Sequence, residues 1–307
     1  MEEKVSVIIP NYNGRNLLAK TLPKIMENCS NCEIMVIDDA STDDSVQFIK
    51  KNFKKVHLLI NSKNLGFSKS VNIGAEKATG NLLLLLNSDV SPRADFLKKA
   101  LQLFSKNPKR TFGVGLADYS HEGNKVIIRG RGGAKFIRGF VNHFALTPKS
   151  DETLWVSGGS SLIDREKFLN LGGFDPIYAP FYWEDVDLCY RAQKAGFLCF
   201  FNADSKVDHY HEEGAIKKTK SEFFIKSVAY KNQFIFVWKN TEDYLWVVLH
   251  FIWLPFHFAR ALVKGDTAFF VGFFWALTKI PQLILRSESQ GYTPITDREV
   301  LKKFEKP

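Results

Sequence analysis

Leu82–Leu86 is a run of five consecutive leucines, and it is the last of four short apolar runs, after Val5–Pro10, Glu33–Ile37 and Val56–Ile60. A strand with one wet face alternates apolar and polar residues. These runs are close to continuous, so each predicts a strand covered on both faces. The segments between them have helical spacing. Leu17, Leu18, Leu22, Ile25 and Met26 recur on one face of the first, and Ser41 and Thr42 are placed to N-cap a second helix through Val46, Phe48 and Ile49. Strands alternating with helices predict a doubly wound α/β sheet.

Composition narrows the class further. The chain has 307 residues, 45% of them apolar, with 42 Lys and Arg against 33 Asp and Glu, a net charge of +9. These are globular values and exclude a disordered or collagen-like chain. Four cysteines are too few for a disulfide framework, and Cys29-x-x-Cys32 has no second pair at zinc-finger spacing, so both read as plain thiols. The start, Met1-Glu2-Glu3-Lys4, enters a strand without an apolar signal region, which places the expected catalytic part in a reducing cytoplasm. The positive charge is dispersed and no nucleic-acid signature accompanies it, so nucleic acid is not an expected partner.

In a doubly wound sheet, ligands bind beyond the carboxyl ends of the strands. The residues there are Asn11-Tyr12-Asn13-Gly14, Asp38-Asp39 and Asn87-Ser88-Asp89, all polar. No GxGxxG follows the first strand and no GxxxxGK[ST] occurs, which removes the main support for dinucleotide and P-loop readings. Asp89 is placed either to offer hard oxygen to Mg²⁺ or Mn²⁺ or to cap a helix starting near Arg93. Glu184-Asp185-Val186-Asp187, after Tyr182-Trp183, suits either a helix's first turn or a general base against an apolar wall. On a predicted strand Lys206–Tyr210, His209 and the nearby His211 share a face, as metal ligands or as ordinary core and surface residues.

Taken in order, Val5-Ser-Val-Ile-Ile-Pro-Asn-Tyr-Asn13, Val36-Ile-Asp-Asp-Ala-Ser-Thr-Asp43, Asn64-Leu-Gly-Phe67 with Asn72 and Gly74, Leu86-Asn-Ser-Asp89, Ser157-Gly-Gly159, Gly172-Gly-Phe-Asp175 and Glu184-Asp-Val-Asp187-Leu-Cys-Tyr-Arg191 resemble the family 2 inverting glycosyltransferases of GT-A fold. The resemblance covers residues 5 to 211. It implies that Asp39, with Pro10, Tyr12, Asn13, Asn64, Gly66 and Asn72, holds the base and ribose of a nucleotide sugar. It implies that Asp89 ends the family's DxD motif and contacts a divalent metal, with His211 or His209 completing the shell. Asn87 stands where the motif's first Asp is expected, as in the rhamnosyltransferase-like branch. Asp185 matches the general base, Glu184 the residue that orients the acceptor, and Gly158-Gly159 a place where backbone meets sugar.

The composition changes after about residue 220. Residues 223 to 285 hold 11 of the 27 Phe and four of the six Trp. The expected organisation is a GT-A domain over 1–220 and an aromatic-rich helical, membrane-associating tail over 221–307. Tyr244–Ala259 and Ala268–Leu277 are uncharged runs, neither a clean 18-residue span, flanked by Arg260, Lys264, Lys279 and Arg286. This pattern predicts interfacial or re-entrant helices on the cytoplasmic leaflet, the other reading being a helical hairpin packed on the sheet domain. Gly130-Arg131-Gly132-Gly133-Ala134-Lys135 reads as a mobile basic loop, either closing over phosphates or simply solvated. The expected activity is transfer from dTDP-rhamnose or a UDP-sugar to a hydroxyl of a membrane-linked glycan. Two other readings stay open: transfer to a polyprenyl phosphate, and a silent nucleotide-sugar-binding scaffold.

Overall fold

The structure is a computed structural model that describes residues 3–123, 125–210, 220–287 and 294–304. It opens as the periodicity predicts, with β1 (Val5–Asn11), α1 (Arg15–Asn28), β2 (Glu33–Asp38), α2 (Ser45–Asn52), β3 (His57–Ile60), α3 (Phe67–Lys77) and β4 (Leu82–Leu86). These strands are parallel, with β1 between β2 and β4 and β3 at the edge. Successive side chains of a strand point to opposite faces, so the leucines of β4 feed two cores. Leu82, Leu84 and Leu86 join Leu18, Leu22 and Phe96 on one face, while Leu83 and Leu85 join Val71, Ala75 and Phe168 on the other.

Beyond β4 the sheet becomes mixed. The chain continues through β5 (Val90–Pro92), α4 (Phe96–Phe104), β6 (Thr111–Glu122), β7 (Lys125–Arg129), β8 (Gly132–Ile137), β9 (Phe140–Ala145), β10 (Asp151–Glu152), β11 (Ser160–Asp164), α5 (Arg165–Asn170), α6 (Glu184–Lys194) and β12 (Leu198–His209). Strand β11 runs antiparallel between β4 and β6, and β12 lies parallel to β6. Among the described residues five further helices follow: α7 (Glu222–Asn240), α8 (Tyr244–Val263), α9 (Thr267–Leu277), α10 (Ile280–Ser287) and α11 (Asp297–Lys302).

A third core joins these helices to the rest. Phe234, Phe236 and Val237 of α7, Trp246 of α8, Phe269 of α9 and Val300 of α11 pack with Phe140, Trp183 and Tyr190. An ion cluster fastens α7 to α6. Lys239 Nζ lies 2.8 Å from Asp187 Oδ1 and 2.8 Å from Asp175 Oδ2, and Arg191 Nη2 lies 2.8 Å from Asp187 Oδ2. Although burial opposes its charge, the Arg191 and Lys239 cations hold the Asp187 carboxyl far below the usual range.

Three local expectations change. Ser41 and Thr42 cap no helix, because α2 begins at Ser45 after Asp44. Ser41 Oγ instead accepts from Asn13 N at 2.8 Å, and Thr42 N donates to Asn13 Oδ1 at 2.7 Å. The basic Gly130–Lys135 segment is not a loop: from Gly132 it forms β8, paired with β9. Its glycine reflects crowding, since a Cβ on Gly132 would sit 1.9 Å from the Trp155 ring. Finally, α8 extends through Arg260 to 20 residues, long and apolar enough by length and composition to cross a membrane, with 17% of its apolar 18-residue stretch buried.

Removing one member of a buried ion cluster leaves the others uncompensated, which typically costs about 3–5 kcal/mol. Lys239→Met is expected to lose stability of that order in urea denaturation followed by far-ultraviolet circular dichroism. A loss under about 1 kcal/mol would show that the cluster is not what fastens α7 to α6.

Candidate active site

The exits of β1, β2 and β4 form one polar edge. Asn11 Nδ2 donates to Asp38 Oδ2 at 2.9 Å, and Asp38 Oδ1 accepts from Ser41 N at 2.9 Å. Asn13 sits at φ 52° with its side-chain oxygen turned to Thr42 and Asp43, which closes the first loop. Pro10 lies inside β1, and Tyr12 next to Asn13 is exposed.

Asp39 is 4% exposed and works as an anchor for the loop before α3. Its Oδ1 accepts from Leu65 N at 2.8 Å and from Asn61 Nδ2 at 2.9 Å, while Oδ2 accepts from Gly66 N at 2.8 Å. Asn64 is thereby presented to solvent beside this edge. Asn72 is used differently. Its side chain bonds both the N–H and the C=O of Phe174, at 2.9 and 2.8 Å, and ties α3 to the Gly172–Asp175 turn.

At the β4 exit, Asn87 N donates to Gly159 O at 2.9 Å, and a Cβ on Gly159 would lie 2.4 Å from Asn87 Nδ2. Asp89 caps no helix, since α4 starts at Phe96 behind Asp95 and Val90–Pro92 pairs with β12. Instead its Oδ1 lies 3.2 Å from His209 Nε2. The other ring nitrogen, Nδ1, lies 2.6 Å from Asp118 Oδ2, whose second oxygen accepts from Ser120 Oγ at 2.7 Å. Burial alone would strip the imidazole of its proton. Hydrogen bonding to Asp118 and Asp89 outweighs it and raises His209 to about 10. Sequence reading missed Asp118, although Asp118 and Ser120 alternate along β6 and so share the face that His209 meets.

On the opposite side, Asp185 Oδ2 accepts from Gly158 N at 3.2 Å and Oδ1 from Val186 N at 2.8 Å. Burial raises its pKa against those amide bonds. Glu184 has Oε2 buried with no partner among the described residues, and burial, followed by the neighbouring Asp185 charge, pushes it up to about 8. Segment Ser157–Gly159 thus touches Asn87, in the Asp89 loop, at one end and Asp185 at the other. The Asp185 carboxylate and the backbone of Asn87, two residues before Asp89, meet one short stretch of chain.

Asp89 and His209 offer an oxygen and a nitrogen suited to Mg²⁺ or Mn²⁺, and a carboxylate behind the second ring nitrogen is the usual support for a ligating histidine. Among the described residues no group of three or more His, Cys, Asp or Glu is arranged to hold a metal ion. His211 lies outside the described residues.

The sequence model of the family described as Glycosyl transferase family 2 matches residues 6–171, more than half of the chain. The chain belongs to that family. The match includes Asp39, Asn87 and Asp89 and ends before Glu184, Asp185 and His209. GlyA, a glycosyltransferase of Streptococcus pneumoniae, is 34% identical over 101 residues, 32% of this chain and 14% of its own. TuaG of Bacillus subtilis, named as a glycosyltransferase of teichuronic acid biosynthesis, is 31% identical over 102 residues, 32% of this chain and 40% of its own. The chain therefore spans less than half the length of either relative. Solved structures match more of it. GalNAc-T7, crystallised with UDP, GalNAc and Mn²⁺, has a TM-score of 0.64 at 19% identity over 79% of this chain and 49% of that one. Residues 1–349 of Staphylococcus aureus TarS, with UDP, give 0.56 at 16% over 83% and 72%. At such identities the likeness is one of fold, a GT-A-like mixed α/β sheet.

A free imidazole loses its proton near pH 6.5, whereas His209 keeps it to about 10 in the folded protein. Its stabilisation is therefore complete below the lower value and is lost as pH rises through the higher one. In urea denaturation of metal-free protein, the stability gap between wild type and His209→Gln is expected to be largest near pH 6 and to close towards pH 10. A gap independent of pH would contradict the charged pair.

Proposed function

We propose that the protein is an inverting glycosyltransferase, moving a sugar from a nucleoside diphosphate, as dTDP-rhamnose or a UDP-sugar, to a hydroxyl of a membrane-linked glycan. The observation that supports this most directly is the convergence of Asp185 and the Asp89 loop on Ser157–Gly159. An inverting transfer needs the departing diphosphate and the base on opposite faces of one sugar. The names of TuaG and TarS with UDP favour a nucleotide-sugar donor and a setting in cell-surface polysaccharide synthesis.

The acceptor oxygen attacks the anomeric carbon from the face opposite the diphosphate. As the new carbon–oxygen bond forms, the carbon–phosphate-oxygen bond breaks, its electron pair leaves with the nucleoside diphosphate, and the hydroxyl proton passes to Asp185. A raised pKa makes Asp185 a stronger base while it remains ionised. Glu184, raised to about 8, keeps its proton at neutral pH and can donate a hydrogen bond that orients the acceptor. Asp89 and His209 would hold a divalent metal, which supplies charge neutralisation for the departing diphosphate. Asp39 and the amides it gathers at Leu65 and Gly66 shape the nucleoside side.

The bilayer surface on its cytoplasmic face is the second part of this reading. The outer face of α8 leaves Phe251, Ile252, Leu262 and Val263 60–87% exposed. Arg138 lies over the Trp253 and Phe256 rings at 5.6 and 5.0 Å, beside them. Aromatic and basic residues around an apolar strip suit the headgroup boundary.

Nucleoside diphosphate release from a panel of UDP-, dTDP- and GDP-sugars is expected for one donor class, abolished by EDTA and by Asp89→Ala. Asp185→Asn should lower turnover roughly 10²–10⁴-fold with folding intact; near-native transfer by that variant would refute the base. Binding to vesicles with anionic lipid is expected to be lost in Phe251→Ser/Ile252→Ser. Undiminished sedimentation with vesicles would refute the α8 surface.

A further inference from the structure

The backbone carbonyls of the loop that leads into Glu184 and Asp185 are gathered by one turn of α7, while the Tyr178 hydroxyl is held by Asp187 and Asn240. Asn232 is fully buried, and its Nδ2 lies 2.8 Å from Tyr178 O, 2.9 Å from Phe181 O and 2.8 Å from Tyr182 O. The preceding residue, Lys231, is also buried and donates from Nζ to Ala179 O. Two adjacent side chains thus engage four of the five carbonyls in residues 178–182.

The loop needs such support. Tyr182 and Trp183 both lie at positive φ, 70° and 76°, where a bulky side chain is disfavoured. Residues in that region persist only when their surroundings over-determine them. Trp183 is also the N-cap of α6, and it supplies no side-chain cap of its own. Glu184 and Asp185 are the first two residues of that helix, so the direction of both carboxyls follows from where residues 182 and 183 are placed. Outside its own turn, and among the described residues, Asp185 has one hydrogen bond to orient it, the 3.2 Å bond from Gly158 N.

We infer that Asn232 is a positioning residue for the reaction, acting through the 178–183 loop to aim Asp185 and Glu184 at the acceptor, with Lys231 as the second point of attachment. This rests on the reading of Asp185 as the base. Asn232 is fully buried and acts only through that loop. Its role differs from that of the Asp187–Lys239 cluster, which fastens α7 to α6 two turns farther along and leaves the loop carbonyls untouched.

The separation of donor and acceptor sides supplies the test. Donor binding depends on β1–β4 and the Asp39 loop, so a variant that only misaims Asp185 keeps it. In Asn232→Ala, kcat is expected to fall about 10–100-fold, the penalty typical of misplacing a reacting group by an ångström. The KM for donor and its calorimetric affinity stay within twofold of wild type, and amide hydrogen exchange rises only in peptides covering residues 178–186. Unchanged kcat overturns the inference. So do parallel losses of donor affinity and turnover with exchange raised throughout, the signature of a residue that merely stabilises the fold. If Asn232→Ala does not fold, Lys231→Met, which keeps the apolar stem and removes one attachment, is expected to give the same split at smaller size; equal losses on both sides overturn the inference. Absence of turnover by the wild type with every donor overturns the proposed function and this inference together, whereas wild-type behaviour in both variants overturns this inference alone.

Discussion

Burial of β4 on both faces is the constraint on which the rest depends. With no polar residue from Leu82 to Leu86, the strand has no place except the middle of a covered sheet. Each fully buried leucine adds about 1.5–3 kcal/mol. The central position forces the chain to leave the core abruptly, and the first residues free to be polar are Asn87, Ser88 and Asp89. The same reasoning applies to β1 and β2, which end at Asn11 and Asp38. Polar side chains follow where these strands end, and the hydrogen bonds Asn11–Asp38–Ser41 and Asp39–Leu65–Gly66 hold that edge in shape.

The start of α6 is built on a different principle. Glu184, Asp185 and Asp187 crowd the start of α6, where the helix dipole offers each only modest relief. Three distinct environments separate them. Asp187 is charged because Arg191 and Lys239 surround it; Asp185 has two backbone amides and partial access to solvent; Glu184 is buried with one oxygen unpartnered. Three neighbouring carboxyls thus acquire three different proton affinities, the divergence that the proposed transfer would use. The third core makes it possible, since α7 supplies Lys239 as well as the residues that line the preceding loop.

Much of this was legible in the chain. The alternation of apolar runs and helical spacing revealed β1 to β4 and the edge they share, because burial of a strand on both faces leaves a direct signature. The antiparallel insertion of β11 between β4 and β6 was not legible: its five residues, Ser160–Asp164, are too few and too mixed to declare a direction. The β8–β9 hairpin was misread as a mobile loop because glycine signals flexibility in sequence, whereas Gly132 is required here by the Trp155 ring against it. Asp118 escaped notice because its partner, His209, is 91 residues away. Long-range pairs of this kind are set by sheet order, which local pattern does not contain. Ser41 and Thr42 show the same limit at short range, since hydroxyls suited to a helix cap were claimed by Asn13 of the neighbouring loop.

The two sides of the site also hold protons for opposite reasons. Glu184 retains its proton because burial makes charge costly, and His209 retains its own because two carboxylates make charge favourable. A cation placed between Asp89 and His209 would have to displace the imidazolium proton, so metal affinity should rise with pH. Hydrogen bonding by Glu184 to an acceptor would instead fade as its proton is lost near pH 8.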